Sequence, residues 1–223
     1  MSERHHFESE LQALKQRLLH MGALVEERVH GVVQALVERR SDVAERIAAS
    51  DTEVNALHIE IDDRCLKLLA LQQPMATDLR TIMAAQKINS DLERIGDQAV
   101  NVAQSVLKLL THPPLRPLLT IPRMTELAEK MMRDSLDAFV RRDVDLARSV
   151  LQRDDEVDEL KDQVFRVLLT HMMADPGTIE RALTLILISR NVERIADHAT
   201  NIAEDVIFMV EGRDVRHHHN EEA

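Results

Sequence analysis

Apolar residues recur along much of the chain at alternating spacings of three and four, the period of a helix with one buried face. The two most regular runs are Ala85, Ile88, Leu92, Ile95, Ala99, Val102, Val106 and Leu109, and Leu185, Ile188, Val192, Ile195, Ala199, Ile202, Val206 and Met209. Such a narrow, heptad-like seam is typical of helices in an antiparallel bundle. No segment has the alternation of a β-strand. The pattern therefore predicts an all-α protein.

Turn-forming residues divide this pattern into six predicted helices, three in each half of the chain. Pro74 interrupts the first half and the segment 174–178, "ADPGT", interrupts the second, since proline removes a backbone donor and disfavours helix in the residue before it. The predicted helices run over about 8–39, 42–69, 78–111, 123–141, 144–173 and 178–211. We expect two tandem antiparallel three-helix bundles.

The stretch 111–122, "THPPLRPLLTIP", contains four of the six prolines and marks the boundary between the halves. We predict a first domain over 1–112, a proline-rich linker over 113–122 and a second domain over 123–223, with a C-terminal tail from about 212. The halves also repeat each other. Residues 51–57, "DTEVNAL", align with 154–160, "DDEVDEL", and seven of twelve residues are identical between 92–103 and 192–203.

Composition narrows the functional classes. Hydrophobic residues make up 44% of the chain, with ten Met, four Phe and no Trp or Tyr, so the core is predicted to be aliphatic. The net charge of −11 and the lack of Tyr and Trp argue against a nucleic-acid-binding protein. One cysteine permits no intramolecular disulfide, and no apolar run resembles a signal peptide or a membrane span. We expect a cytoplasmic protein.

The repeated segment carries the candidate chemistry. Glu93 and Asp97, and again Glu193 and Asp197, stand four apart, so two negative charges stack on one helix face. Each such pair costs roughly 0.2–0.5 kcal/mol through repulsion. At 100° per residue the pairs fall nearly opposite the apolar seam, which predicts an outer face. With Asn101 and Asn201 one turn on, they form rows of oxygen ligands suited to hard or borderline cations.

The second helix of each half offers further acids. Asp158 and Asp162 are four apart in the second half, and Asp62 lies near Glu60 and His58 in the first. The ordinary alternative is a solvated acidic surface on a structural scaffold. A helical-bundle metalloenzyme is a second alternative, but the Glu-x-x-His pair of di-iron bundles and the common catalytic motifs are absent from the sequence. We therefore predict no enzymatic activity.

The doubled Glu-Arg-Ile-Gly/Ala-Asp motif, the "QPMATDLR" segment before its first copy and the closing "GRDVRH" resemble the PhoU family over nearly the whole chain. The resemblance implies two similar three-helix bundles and metal ions held by acidic motif pairs on the bundle surface. Carried over to this chain, those ligands are Glu93 with Asp97 and Glu193 with Asp197. On the second helices they are Asp158 with Asp162 and, less completely, Asp62, because His58 stands where an acid is often found.

The resemblance also implies a function. Members of the family are negative regulators of phosphate uptake and of the phosphate-starvation regulon. They link the ATPase subunit of the phosphate ABC transporter to a sensor histidine kinase, commonly form homodimers, and reach the inner membrane only through these partners. The bound metal is a divalent or trivalent ion, and carboxylate and amide oxygens accept Fe, Zn, Mn or Mg alike.

Overall fold

The computed structural model describes residues 2–72, 74–115 and 120–215, so part of the predicted linker and the end of the predicted tail lie outside the described residues. The first half forms α1 (Ser2–Glu38), α2 (Ser41–Ala48), α3 (Asp51–Gln72) and α4 (Thr77–Leu110). The second half forms α5 (Thr120–Arg141), α6 (Val144–Leu151), α7 (Asp154–Ala174) and α8 (Ile179–Glu211), with a 3₁₀ turn over Pro176–Thr178. The predicted all-α fold of two tandem three-helix bundles is confirmed. None of the helices in these ranges combines the length and the hydrophobicity needed to cross a membrane.

The second predicted helix of each half is divided into a short and a long helix, which corrects the continuous helices predicted over 42–69 and 144–173. At the first break, the backbone amide and the hydroxyl of Ser50 both donate to the carbonyl of Ile47, at 3.1 and 2.7 Å. At the second, the backbone amide of Arg153 donates to the carbonyl of Val150 at 3.1 Å. These tight bonds end the short helices. Neither break contains Gly or Pro, so the sequence lacked the usual stop signal.

The start of the second half is also corrected. α5 begins at Thr120, within the linker predicted over 113–122. Pro122 lies in the first turn of α5, where the missing amide proton of a proline removes no intrahelical hydrogen bond. A proline count alone could not distinguish a linker from the first turn of the following helix.

The predicted seam forms the core. All sixteen seam residues of α4 and α8 are buried, and these two helices pack against each other along the middle of the molecule. α4 also packs against α1 and α3, and α8 against α5 and α7, while α1 meets α5. The buried surface of α4 and α8 is therefore broader than one seam, because each of these helices contacts neighbours in its own half as well as the other central helix.

The two halves contact each other reciprocally. Glu26 on α1 forms an ion pair with Arg133 on α5, and His30 on α1 lies 3.4 Å from Glu129 on α5, measured from Nδ1 to Oε1. At the offset of 103 residues between the repeats, Glu26 corresponds to Glu129 and His30 corresponds to Arg133. Each half thus presents equivalent positions to the other, as the subunits of a symmetric dimer do.

Candidate functional site

The acidic motif of the second half lies where α8 packs against α7. Lys161 of α7 donates hydrogen bonds to Asp158 Oδ1 at 2.7 Å and to Glu193 Oε1 of α8 at 3.0 Å. Asp158 lies three residues before Lys161 on the same helix, a spacing that brings the two side chains together. Glu193 is within reach because α8 packs against α7. The motif is thereby tied to the second helix of its own bundle through a lysine.

The carboxylates around this lysine perturb one another. Asp197 is exposed as a residue, but partial burial of its carboxyl group beside α7 raises its pKa, and the charges of Glu193 and Asp158 raise it further. The pKa of Asp154, in the first turn of α7, rises to about 6 through burial and then through Asp197 and Asp158. The hydrogen bond to Asp158 is the largest cause that raises the pKa of Lys161. Four acids from two helices therefore share one electrostatic environment.

The predicted outer position of the acidic pairs is only partly right. Asp197 is exposed as predicted, but the side chain of Glu193 is 22% exposed, and Glu93 and Asp97 are intermediate between buried and exposed. α3 covers this flank of α4, and α7 covers the same flank of α8. At Gly96 an added Cβ would lie 3.4 Å from Val54 Cγ1, which shows how closely α3 approaches α4 beside the first motif. A single-seam pattern does not reveal this additional neighbour.

In the first half, Asp62 is held by Asn89 of α4, which is not part of the acidic motif. The amide of Asn89, which is fully buried on α4, donates to Asp62 Oδ1 at 3.0 Å and to the carbonyl of His58 at 2.9 Å. His58 Nε2 lies 3.6 Å from Asp62 Oδ2. Glu93 follows Asn89 by one helical turn, and Gly96 also faces α3, so Glu93 lies on the α3 side of α4.

Three further predicted ligands lie on these helices. Asp162 is exposed on α7 and is not among the charges that perturb Asp154 or Asp197. Asn201 donates to Asp91 of α4 at 3.4 Å, so its amide is directed towards the other half of the molecule. Asn101 is exposed on α4. The amide nitrogen of Asn201 is therefore engaged across the repeats, and ligation by these three residues stays a prediction.

Sequence reasoning missed Asp154 and Lys161. Asp154 was visible in the repeated segment 154–160, four residues before Asp158, but its contribution depends on how α7 is placed against α8. Lys161 is three residues after Asp158, a spacing that favours contact on a helix. The sequence showed that Lys161 can reach an acid on its own helix, but gave no sign that it also reaches Glu193.

The donor set suits a hard cation, since clustered carboxylates are the ligands that such ions prefer. The arrangement itself fits less well. Within the described ranges, no group of three or more His, Cys, Asp and Glu side chains is placed to hold a metal ion. In the second half the Lys161 ammonium group lies between Asp158 and Glu193, where it neutralises part of the negative charge.

Fold and motif together define an internally duplicated helical-bundle protein with one acidic motif in each repeat. A family model described as the PhoU domain matches this chain twice, over residues 18–106 and 121–206. The chain belongs to the PhoU family.

Curated relatives cover nearly all of the chain. It is 42% identical over 212 residues to a phosphate-specific transport system accessory protein PhoU homolog of Pseudomonas putida, a match that covers 95% of this chain and 83% of the relative. An Aquifex aeolicus protein with the same description is 41% identical over 213 residues, with 96% of each chain covered.

Two solved structures share the fold. The crystal structure of PhoU from Pseudomonas aeruginosa superposes with a TM-score of 0.89 at 41% identity, covering 93% of this chain and all of the other. That of the phosphate transport system regulatory protein PhoU from Streptococcus pneumoniae has a TM-score of 0.87 at 30% identity and covers 94% and 99%. The similarity therefore includes both repeats.

Proposed function

We propose that this chain is a cytoplasmic accessory protein of a phosphate-specific transport system, a negative regulator of phosphate uptake and of the phosphate-starvation regulon. The observation that carries the proposal is the similarity over both repeats to proteins described as accessory or regulatory proteins of phosphate transport. The similarity extends over 83 to 99% of the length of these relatives, so the proposal rests on both repeats and not on one shared domain.

The chain acts as an adaptor between the transporter's ATPase subunit and the sensor histidine kinase, and it forms a homodimer. It associates with the inner membrane through these partners. The role requires no chemistry from the chain itself. Its one cysteine, Cys65, is fully buried, and burial raises the pKa of its thiol to about 12, which suppresses the reactive thiolate. The net charge of −11 gives the chain little affinity for nucleic acid.

The adaptor role is tested by calorimetric binding of the purified full-length chain to the purified ATPase subunit and, separately, to the cytoplasmic part of the kinase. We expect saturable binding to each. An unrelated all-helical protein of similar net charge is the control, because an acidic surface binds basic surfaces non-specifically. Failure of the chain to exceed this control with either partner would contradict the adaptor role.

We further propose that the acidic motif of the first repeat, Glu93 with Asp97, holds a divalent or trivalent metal ion, with Fe, Zn, Mn and Mg as candidates. Two observations support this: the carboxylates stand one turn apart on a half-buried flank, and His58 and Asp62 lie on the helix that packs against that flank. Elemental analysis after gentle purification tests the site. The Glu93→Gln/Asp97→Asn double variant should lose metal relative to the parent chain, and equal metal content would contradict the proposal.

A further inference from the structure

An exposed apolar surface lies on α7 and α8, close to the turn that joins them. Six large apolar side chains there are between 41 and 79% exposed. Three stand four apart on α7 and three stand four apart on α8, namely Phe165, Leu169, Met173, Ile179, Leu183 and Leu187. Single exposed apolar residues are ordinary on a protein surface, whereas a contiguous group of them marks an interaction site.

The six side chains lie on one side of the hairpin that α7 and α8 form. The hydrogen bond between Lys161 and Glu193 marks where the two helices meet. At 100° per residue, the three apolar residues of α7 are displaced from Lys161 by about 40°, 80° and 120°, and those of α8 are displaced from Glu193 by the same angles. Because the two helices run antiparallel, the same sense of rotation turns both rows towards one side of the hairpin.

Acidic residues continue this side of the hairpin towards the start of α7. Asp154 and Asp158 lie about 20° and 60° from Lys161, and Asp197 lies about 40° from Glu193. Lys161 donates to Asp158 and Glu193 at 2.7 and 3.0 Å, so these carboxylates accept hydrogen bonds from an ammonium group. We call the six apolar residues and these four acids the hairpin flank.

The first repeat carries a smaller apolar surface at the equivalent place. At the offsets of 103 and 100 residues, three of the six positions are also apolar and exposed, at Leu66, Leu79 and Met83. The other three positions hold Asp62, Ala70 and Lys87. The larger apolar surface therefore belongs to the second repeat, and the first repeat offers matched control positions.

The charges distinguish between the surfaces that could cover the hairpin flank. Its acidic end would be repelled by the anionic lipids of a bilayer. A second copy related by a twofold axis through the apolar end would bring its own α7–α8 turn, with exposed Asp175 and Glu180, towards these acids. A helix with an apolar face that is followed by lysine or arginine complements both ends.

We propose that the hairpin flank is the docking surface for an amphipathic helix of a partner protein. The apolar face of that helix covers the six apolar residues, and its lysine or arginine side chains bind the acids. The flank extends from Asp154 to Met173, about 28 Å, which is the length of about 19 helical residues. The inference rests on the proposed adaptor role and assigns one surface of the chain to it.

Fluorescence anisotropy of labelled 20-residue peptides, titrated with the full-length chain, tests this inference. The basic peptide is a designed amphipathic helix with a leucine face and three lysines in its last two turns. A second peptide has glutamate in place of the lysines, and a third has the scrambled sequence of the first. The chain variants are Leu169→Ser/Leu183→Ser and Asp158→Asn/Asp197→Asn. Leu66→Ser/Met83→Ser is the matched control in the first repeat, and circular dichroism checks that each variant is folded.

The basic peptide should bind the parent chain at least about tenfold more tightly than either other peptide. Leu169→Ser/Leu183→Ser should weaken its binding by at least about tenfold, since burial of one leucine side chain is worth about one decade of affinity or more. Asp158→Asn/Asp197→Asn should weaken the basic peptide and leave the glutamate peptide unchanged, which identifies a coupling between the lysines and these acids. The control variant should bind as the parent does.

Equal binding of the three peptides, or equal losses in the two serine variants, would overturn the inference. Sedimentation velocity provides a second check. A parent dimer that Leu169→Ser/Leu183→Ser dissociates, and that the basic peptide does not, would assign the flank to a contact between two copies and overturn the partner helix.

Binding to the purified ATPase subunit and to the kinase separates this inference from the adaptor role. If either protein binds the parent chain and Leu169→Ser/Leu183→Ser equally well, and the basic peptide does not bind, the docking surface is wrong and the adaptor role stands. If the basic peptide binds as expected and neither protein does, the docking surface stands and the adaptor role is contradicted.

Discussion

His198 on α8 and Asp91 on α4 form a contact across the two repeats, with 2.9 Å between Nδ1 and Oδ1. Both side chains are nearly buried, at 9% and 13% exposure, and Asn201 donates to the same carboxylate oxygen at 3.4 Å. At the offset of 100 residues that relates α4 to α8, the reciprocal positions are Asn191 and Gln98. The duplicated fold therefore carries an ionisable contact on only one side of its internal symmetry.

Removal of this carboxylate should destabilise the chain. Asp91→Ala leaves the polar groups of His198 and Asn201 without their acceptor at a nearly buried interface, a loss of about 1–3 kcal/mol in the free energy of unfolding. Urea denaturation measures the effect. Asp63→Ala is the control, because exposed Asp63 pairs with exposed Lys67 on its own helix and should change stability by less than about 1 kcal/mol. Equal effects of the two substitutions would contradict a special role for Asp91.

Asp154 should make stability depend on pH. Its folded pKa of about 6 lies above the ordinary value of 3.8, so its contribution to stability is fully present below about pH 4 and is lost as the pH rises through 6. Asp154→Asn should therefore gain stability relative to the metal-free parent between pH 4 and 7, by about 1 kcal/mol once solvent screening is allowed for.

Urea titrations at pH 4, 5, 6 and 7 in the presence of a chelator measure this dependence. Asp155→Asn is the comparison variant, because Asp155 is exposed in the same helical turn; its charge is one of the smaller causes that raise the pKa of Asp154, so it should have a smaller effect. A stability difference for Asp154→Asn that stays flat over this range, or that follows Asp155→Asn, would show that the acids do not interact as described.

The central seam should be the most sensitive part of the fold. Ile195 on α8 is 1% exposed, so Ile195→Ala should cost about 2–5 kcal/mol through the lost contacts and the cavity. Leu183 on the same helix is 50% exposed, and Leu183→Ala should cost less than about 1 kcal/mol. Thermal unfolding compares them, and similar losses would argue against α8 as the central helix.

The fold was predictable because the apolar spacing of a helix is a local pattern and occurs in both repeats. Every seam residue from Ala85 to Leu109, and its counterpart in α8, is buried as the three-and-four spacing predicts. The division of the second helices was not predictable in this way, because Ser50 and Arg153 end helices through bonds to the preceding turn without Gly or Pro. Periodicity identifies a helix face more readily than the end of a helix.

The candidate site was predictable only in part. The stacked pair Glu193 and Asp197 could be read directly from the sequence, since helical spacing fixes their separation. The neighbours of this pair come from another helix, and their identity depends on the rotation and register of α7 against α8. For that reason the sequence predicts neither the contact of Lys161 with Glu193 nor that of Asn201 with Asp91.

The most direct test of the proposed function is the activity of a phosphate-regulon reporter in phosphate-rich medium. A strain that lacks the gene for this chain should express the reporter strongly, and restoring the parent chain at its native level should repress it at least about tenfold. The Ile195→Ala chain, which is expected to be destabilised, serves as a partial-function control. Equally low reporter activity with and without the chain would contradict the proposal that it restrains the phosphate-starvation response.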